Sequence, residues 1–174
     1  MIDVAVLILR IAAGALLAGH GAQKIFGLFG GPGPRGTREM IASLGLRPAW
    51  LWVPLAGLTE LGGGFLTILG LLSPLGPLGI LASMAIAIFR AHRGKPLWAT
   101  AGGAELPVLY SAVVIAVAVA GPGRYSVDAA LGIVLPPALV WAAVAAVAVG
   151  VIAALASSSR PGARQESERD RRAA

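Results

Sequence analysis

The sequence contains no cysteine, and charged residues make up only 13% of its 174 residues. Without cysteine, the chain cannot form a disulfide, a thiolate nucleophile or a thiolate-held metal cluster of its own. If the protein takes part in redox chemistry, the electrons must therefore travel through a bound cofactor, a quinone or a partner protein. The only two histidines, His20 and His92, are separated by two apolar stretches, so we predict no metal or haem site.

Apolar residues make up 57% of the chain, and the mean hydropathy is +0.82. A soluble domain of this size does not need so much apolar surface, so we expect most of the chain to lie in a lipid bilayer. The net charge of +6 could also indicate nucleic-acid binding. However, the basic residues lie between apolar runs and in the C-terminal tail, without a basic stripe interleaved with aromatics. We therefore predict a bilayer environment and no nucleic-acid partner.

Five apolar stretches predict five membrane-spanning helices. They cover about residues 2–19, residues 49–72, the segment from a hairpin at 73–77 to about 89, residues 105–121, and a stretch within 129–156. The sequence also allows the first helix to continue through Lys24 to Phe29. A short amphipathic helix, capped by Thr37, is predicted between the first two. The predicted fold is thus an all-α membrane protein with a four-helix transmembrane bundle plus a fifth C-terminal span. The domains are the core at 1–131, the additional helix at 132–156, and a disordered, charged cytoplasmic tail at 157–174.

The charges between these spans predict the orientation of the chain. With five spans, one side of the membrane carries the tail arginines and seven other basic residues, namely Lys24, Arg35, Arg38, Arg47, Arg90, Arg93 and Lys95. The other side carries only Arg124. The positive-inside rule then places the N-terminus outside and the C-terminus in the cytoplasm of a multi-pass membrane protein.

Two opposite charges, Arg10 and Glu60, lie within the first two apolar stretches. A charge at the bilayer centre is costly, so such residues face a protein interior or a wet cavity, usually with a partner. Counting residues from the ends of the two spans places both side chains near the bilayer midplane. They could form a buried ion pair that holds two helices in register, or line a site for a quinone or small polar ligand, or have unrelated partners.

A second polar group, at the cytoplasmic end of the first span, consists of His20, Gln23 and Lys24. These side chains could bind an anion or a quinone carbonyl, or could form an interfacial anchor. Glu105 lies at the cytoplasmic start of the fourth span, where the helix dipole favours a carboxylate. At this depth, Glu105 could also face Lys24.

Four motifs in this order resemble the DoxX family of small bacterial membrane proteins. They are GHGAQKIFGLFGGPGPRGT, LTELGGGFLTILGLL, GGAELPVLY and GPGRYSVD, and the resemblance covers about residues 4–131. It implies a four-helix bundle in the bacterial inner membrane, related to a membrane subunit of thiosulfate:quinone oxidoreductase, with some members associated with oxidative-stress and thiol-redox complexes. It also implies that the family's recurring polar positions are here Arg10, His20, Gln23, Lys24, Glu60 and Glu105.

We therefore predict a membrane component of a redox or quinone-linked system that needs a soluble redox partner for catalysis. A quinone is the candidate cofactor, and the site residues are the six polar residues that match the family. Two alternatives remain open at the level of the sequence. The same polar interior could serve a small-molecule carrier or efflux component, and the charged tail could make the protein a scaffold that recruits cytoplasmic proteins.

Overall fold

The computed structural model describes residues 1–157, and every regular element within that range is helical. The seven α-helices are α1 (Ile2–Phe26), α2 (Gly33–Ser43), α3 (Ala49–Leu69), α4 (Leu75–Ile86), α5 (Glu105–Ala120), α6 (Val127–Leu131) and α7 (Pro137–Ala156). A π-helical turn, Ala87–Ala91, extends α4. The tail that we predict to be disordered lies, apart from Ser157, outside the described residues.

Three helices, α1, α3 and α7, are long and apolar enough to cross a membrane. The apolar helices α4, with its π-helical turn, and α5 are shorter. Large apolar side chains such as Ile8, Leu58 and Trp141 are more than half exposed. A soluble protein rarely exposes so much apolar surface, whereas a bilayer solvates it. The chain is therefore a multi-pass helical membrane protein, and the count of four spans plus one remains a prediction.

Glycines hold α1, α3 and α4 close together. A Cβ atom at Gly14 would lie 2.8 Å from the carbonyl oxygen of Gly64, and one at Gly64 would lie 2.6 Å from that of Gly14. On the other side of α3, a Cβ atom at Gly76 would lie 2.8 Å from the Gly63 oxygen. Small residues allow such close approach between helices in membranes, and here they fix the register of α1 and α4 on α3.

The bundle has two distinct ends. The first, which we call the hairpin end, comprises the start of α1, the turn between α3 and α4, and residues 121–136. The backbone N–H of Arg124 donates to Asp3 there, at 3.0 Å. The other, which we call the α2 end, comprises α2, residues 92–104 and the C-terminal ends of α1 and α7. Since Met1 and Ser157 lie at opposite ends, the described chain traverses the bundle an odd number of times.

The helix α7 packs mainly on α4, and Ala154 is its one buried residue. At the α2 end, the guanidinium of Arg90 donates to the carbonyl oxygens of Ala154, at 3.1 Å, and of Leu155. A cation at this position satisfies carbonyls that the last turn of a helix leaves without intrahelical partners. Arg90 thus attaches the C-terminal end of α7 to the rest of the bundle.

The short amphipathic helix is present, but it begins earlier than predicted. It starts at Gly33, with Pro34 in its first turn, so Thr37 is not its N-cap. Instead, Thr37 is fully buried, and its hydroxyl donates to the Lys24 carbonyl at 3.2 Å. Proline favours the first helical turn because its φ angle is already helical. The buried Ile41 confirms the apolar face that we predicted for this helix.

Candidate functional site

At the hairpin end, the buried guanidinium of Arg10 binds only backbone carbonyls. It donates to Thr67 at 2.9 Å and Ile68 at 2.7 Å, both in the last turn of α3. It also donates to Pro122 at 2.6 Å and Tyr125 at 3.0 Å, in the loop that follows α5. Four of the five N–H groups of a guanidinium are therefore engaged. Arg10 cross-links α1, the end of α3 and this loop.

The prediction that Arg10 could pair with Glu60 was wrong. Glu60 lies seven residues before Thr67 on α3, which corresponds to about 10 Å along a helix. Counting from the ends of the spans assumed that each helix begins at the same depth. The contact of Gly14 with Gly64 instead places Arg10 beside the last turn of α3.

Asp128 completes the polar network at the hairpin end. Its two carboxylate oxygens accept hydrogen bonds from the backbone N–H groups of Leu72 and Ser73, each at 2.8 Å. Its own N–H donates to the Gly70 carbonyl at 3.1 Å. The carboxylate therefore stabilises the turn between α3 and α4. Nothing in the spacing of Asp128 from this turn could have indicated the contact.

Toward the α2 end, three helices contribute a polar cluster composed of Lys24, Glu60 and Ser83. The ammonium of Lys24 on α1 forms an ion pair with Oε1 of Glu60 on α3. The hydroxyl of Ser83 on α4 donates to the same oxygen at 2.6 Å. The side chain of Glu60 is only 3% exposed, and that of Lys24 is 19% exposed. We had identified Lys24 and Glu60 separately as candidates, but neither their pairing nor the role of Ser83.

The sequence allowed Glu105 to face Lys24, but in the structure it does not. Its Oε2 atom accepts a hydrogen bond from the Ala99 N–H at 2.8 Å. In the same loop, Nδ1 of His92 lies 2.8 Å from the Gly102 carbonyl oxygen. Glu105 and His92 therefore close the loop between α4 and α5, and neither forms a hydrogen bond with Lys24 or Glu60.

His20 and Gln23 precede Lys24 on α1 and interact with each other. Nδ1 of His20 lies 3.1 Å from Oε1 of Gln23, whose amide nitrogen donates to the Phe29 carbonyl at 3.4 Å. Gln23 thus orients the His20 ring and holds the end of α1 against the turn that follows. Across residues 1–157, no three His, Asp or Glu side chains lie together as metal ligands.

A cavity of about 690 Å³ opens beside the Lys24–Glu60 pair. Its volume lies in the range that small-molecule sites occupy. Most of its walls are apolar and come from α1 to α5 and from α7. The polar residues that line it are His20, Lys24, Thr59, Glu60, Ser83, His92 and Tyr110. From α7, the cavity is lined by Ala146, Val147, Gly150 and Val151. The sequence did not predict the contribution of α7, because these residues carry no polar group that could have indicated it.

The second carboxylate oxygen of Glu60, Oε2, is buried and has no hydrogen-bond partner. Within the described part of the chain, only one other buried side-chain polar atom, Nε of Arg90, shares this property. Buried polar atoms are almost always hydrogen-bonded, so an exception beside a cavity indicates a group that a ligand or water can satisfy. The arrangement can accommodate a mainly apolar molecule whose polar part contacts Lys24 and Glu60.

Comparisons with curated proteins and with solved structures found no match. The family model of DoxX matches residues 5–93, which extend from α1 through α4. The matched segment contains Arg10, His20, Gln23, Lys24 and Glu60, whereas Glu105 and the GPGRYSVD motif lie beyond it. On this match over half of its length, the chain belongs to the DoxX family.

Proposed function

We propose that this DoxX protein is the membrane component of a quinone-linked redox system, and that the cavity at its α2 end binds the quinone. The observation that carries the proposal is an apolar cavity of about 690 Å³ with a charged pair in its wall. Ligand sites are typically apolar, with a few polar groups that orient the ligand.

The cavity chemistry suits a quinone. The ammonium of Lys24 has three N–H donors, and its pairing with Glu60 leaves donors for a quinone carbonyl. The apolar walls from α2, α3 and α7 suit the ring and its hydrocarbon tail. Since α7 exposes most of its surface to the surroundings of the bundle, the cavity also lies next to the bilayer in which quinones dissolve.

A bound quinone would accept two electrons and two protons and so become a hydroquinone. The chain itself has no cysteine, so its own residues bind and orient the quinone, and a soluble redox partner exchanges electrons with it. The basic residues at the α2 end, among them Arg35, Arg38 and Arg93, are exposed and available to such a partner.

To test binding, a larger side chain is introduced on α7 so that it fills part of the cavity. A Cβ atom at Gly150, which lines the cavity, would have no heavy atom within 4 Å. The Gly150→Leu variant should therefore fold and lower the affinity for a decyl-benzoquinone by about tenfold, measured by equilibrium dialysis in detergent micelles. Gly62→Leu is the matched control, because Gly62 also has open space around it but does not line the cavity.

Equal affinity in wild type and both variants would show that the quinone does not occupy this cavity. The absence of any saturable quinone binding would contradict the proposed function altogether. Uptake of a small molecule by proteoliposomes, blocked by Gly150→Leu and not by Gly62→Leu, would then favour a carrier.

For the orientation, we propose that the α2 end faces the cytoplasm of a cell with an inner membrane. Seven basic residues between the predicted spans belong to that side, against Arg124 on the other. A reporter active only in the cytoplasm should give a signal when fused after Ala174 and none when fused after Leu72. The reverse pattern would overturn the orientation.

A further inference from the structure

We infer that the cavity prefers a ligand with a hydroxyl donor, so that it binds the reduced hydroquinone more tightly than the oxidised quinone. This inference rests on the proposed function and concerns the oxidation state of the same ligand. It follows from the hydrogen bonding of the Glu60 carboxylate.

The two oxygens of Glu60 differ sharply in their surroundings. Oε1 accepts from both the Lys24 ammonium and the Ser83 hydroxyl. Oε2 is buried and accepts from no group of the described chain. An ionised carboxylate can accept about four hydrogen bonds, so this oxygen has unused capacity in a place that water reaches poorly.

None of the polar groups that line the cavity donates to Oε2, the Tyr110 hydroxyl and Nε2 of His20 included, and several of them already have other partners. The Thr59 hydroxyl donates to the Leu55 carbonyl at 2.7 Å, and the Ser83 hydroxyl donates to Oε1. Nδ1 of His20 is held by Gln23. The missing donor is therefore best supplied by whatever occupies the cavity. Glu60 lines the cavity, so a ligand bound there can donate to this oxygen.

The two oxidation states of a quinone differ in this property. A quinone has only carbonyl acceptors, which can use Lys24 but cannot satisfy Oε2. A hydroquinone has two O–H groups, and one of them can donate to Oε2 while its oxygen accepts from Lys24. A hydrogen bond to an ionised acceptor is stronger than one between two neutral groups, so the reduced form should bind more tightly.

The experiment compares three probes that share one decyl chain, under anaerobic conditions in detergent micelles. They are a benzoquinone, its hydroquinone, and the dimethyl ether of that hydroquinone, which keeps the ring and oxygens but has no O–H donor. The hydroquinone should bind the wild-type protein about tenfold more tightly than the quinone and the ether. This comparison uses the wild-type protein and so does not depend on whether a variant folds.

Glu60→Gln tests whether the preference comes from this carboxylate. The amide places an N–H₂ group in the site, so the preference for the hydroquinone over the ether should fall to within about threefold. Glu105→Gln is the matched control, because Glu105 lies at the same end but does not line the cavity, and it should retain the full preference.

Equal binding of the three probes by wild type would overturn this inference and leave the proposed quinone site intact. So would a preference that survives in Glu60→Gln, since the donor would then be recognised elsewhere. If none of the probes binds saturably, both the inference and the proposed function are wrong.

Discussion

The two buried charges of the bundle, Arg10 and Glu60, have opposite surroundings. Arg10 donates to four backbone carbonyls at the hairpin end, where the adjoining cavity measures only about 10 Å³. Glu60 uses one oxygen for Lys24 and Ser83, leaves the other without a partner, and lines a cavity of about 690 Å³.

This difference separates a structural charge from a candidate functional one. A charge in an apolar helix indicates a protein interior or a wet cavity, but does not distinguish between them. The distinction comes from the number of donors and acceptors that remain unused once the helices have packed. On that criterion, Arg10 stabilises the fold, and Glu60 is a candidate for ligand binding.

The largest effect should come from Arg10→Leu. This change leaves the carbonyls at the end of α3 and in the loop after α5 without their buried donor, and removes the link between them. We expect at least about 3 kcal/mol of destabilisation and little folded protein. Size-exclusion chromatography of detergent extracts measures the folded yield.

Arg10→Lys provides the matching control for charge. An ammonium keeps the charge but lacks the planar fork that reaches carbonyls of two separate segments, so this variant should also fold poorly. Normal folding of Arg10→Lys would show that charge alone, without the shape of the guanidinium, holds the hairpin end together.

A smaller effect is expected for Gly70→Ala. The φ angle of Gly70 is +60°, and a Cβ atom there would lie 2.5 Å from the Arg10 guanidinium. Gly132 has a similar φ angle, +65°, but no heavy atom within 4 Å of such a Cβ atom. Gly132→Ala should therefore show only the backbone strain of about 1–2 kcal/mol, and Gly70→Ala about 1–3 kcal/mol more. Thermal unfolding in detergent compares the two, and equal losses would contradict the tight packing around Arg10.

The smallest effect distinguishes the partners of Glu60. In a double-mutant cycle of Lys24→Met and Glu60→Leu, the double variant should lose less free energy of unfolding than the two single variants lose together. The difference should be about 0.5–3 kcal/mol. Glu60→Leu should not restore the folded yield of Arg10→Leu, since the two side chains do not meet. Rescue of Arg10→Leu by Glu60→Leu, or additivity for Lys24 and Glu60, would contradict the pairing.

Much of the local structure could be predicted from the sequence. The apolar stretches predicted α1, α3, α4 and α5 to within a few residues at most boundaries. Helix formation depends on nearby residues, and glycine and proline mark where helices are interrupted. The fifth stretch, within 129–156, contains both α6 and the later start of α7 at Pro137. Glu60 was identified as a candidate because charges are rare in such stretches, and Lys24 because it belongs to a polar group at the predicted cytoplasmic end of the first span.

The sequence by itself therefore determined the helical class, the membrane environment and the residues that are costly to bury. Only the tertiary structure decided which of these residues meet. Pairings such as Lys24 with Glu60, or Asp128 with the turn at 72–73, depend on the register between helices far apart in the sequence. That register is set by close contacts such as Gly14 against Gly64, and a shift of one helical turn, about 5.4 Å, would exchange one set of partners for another.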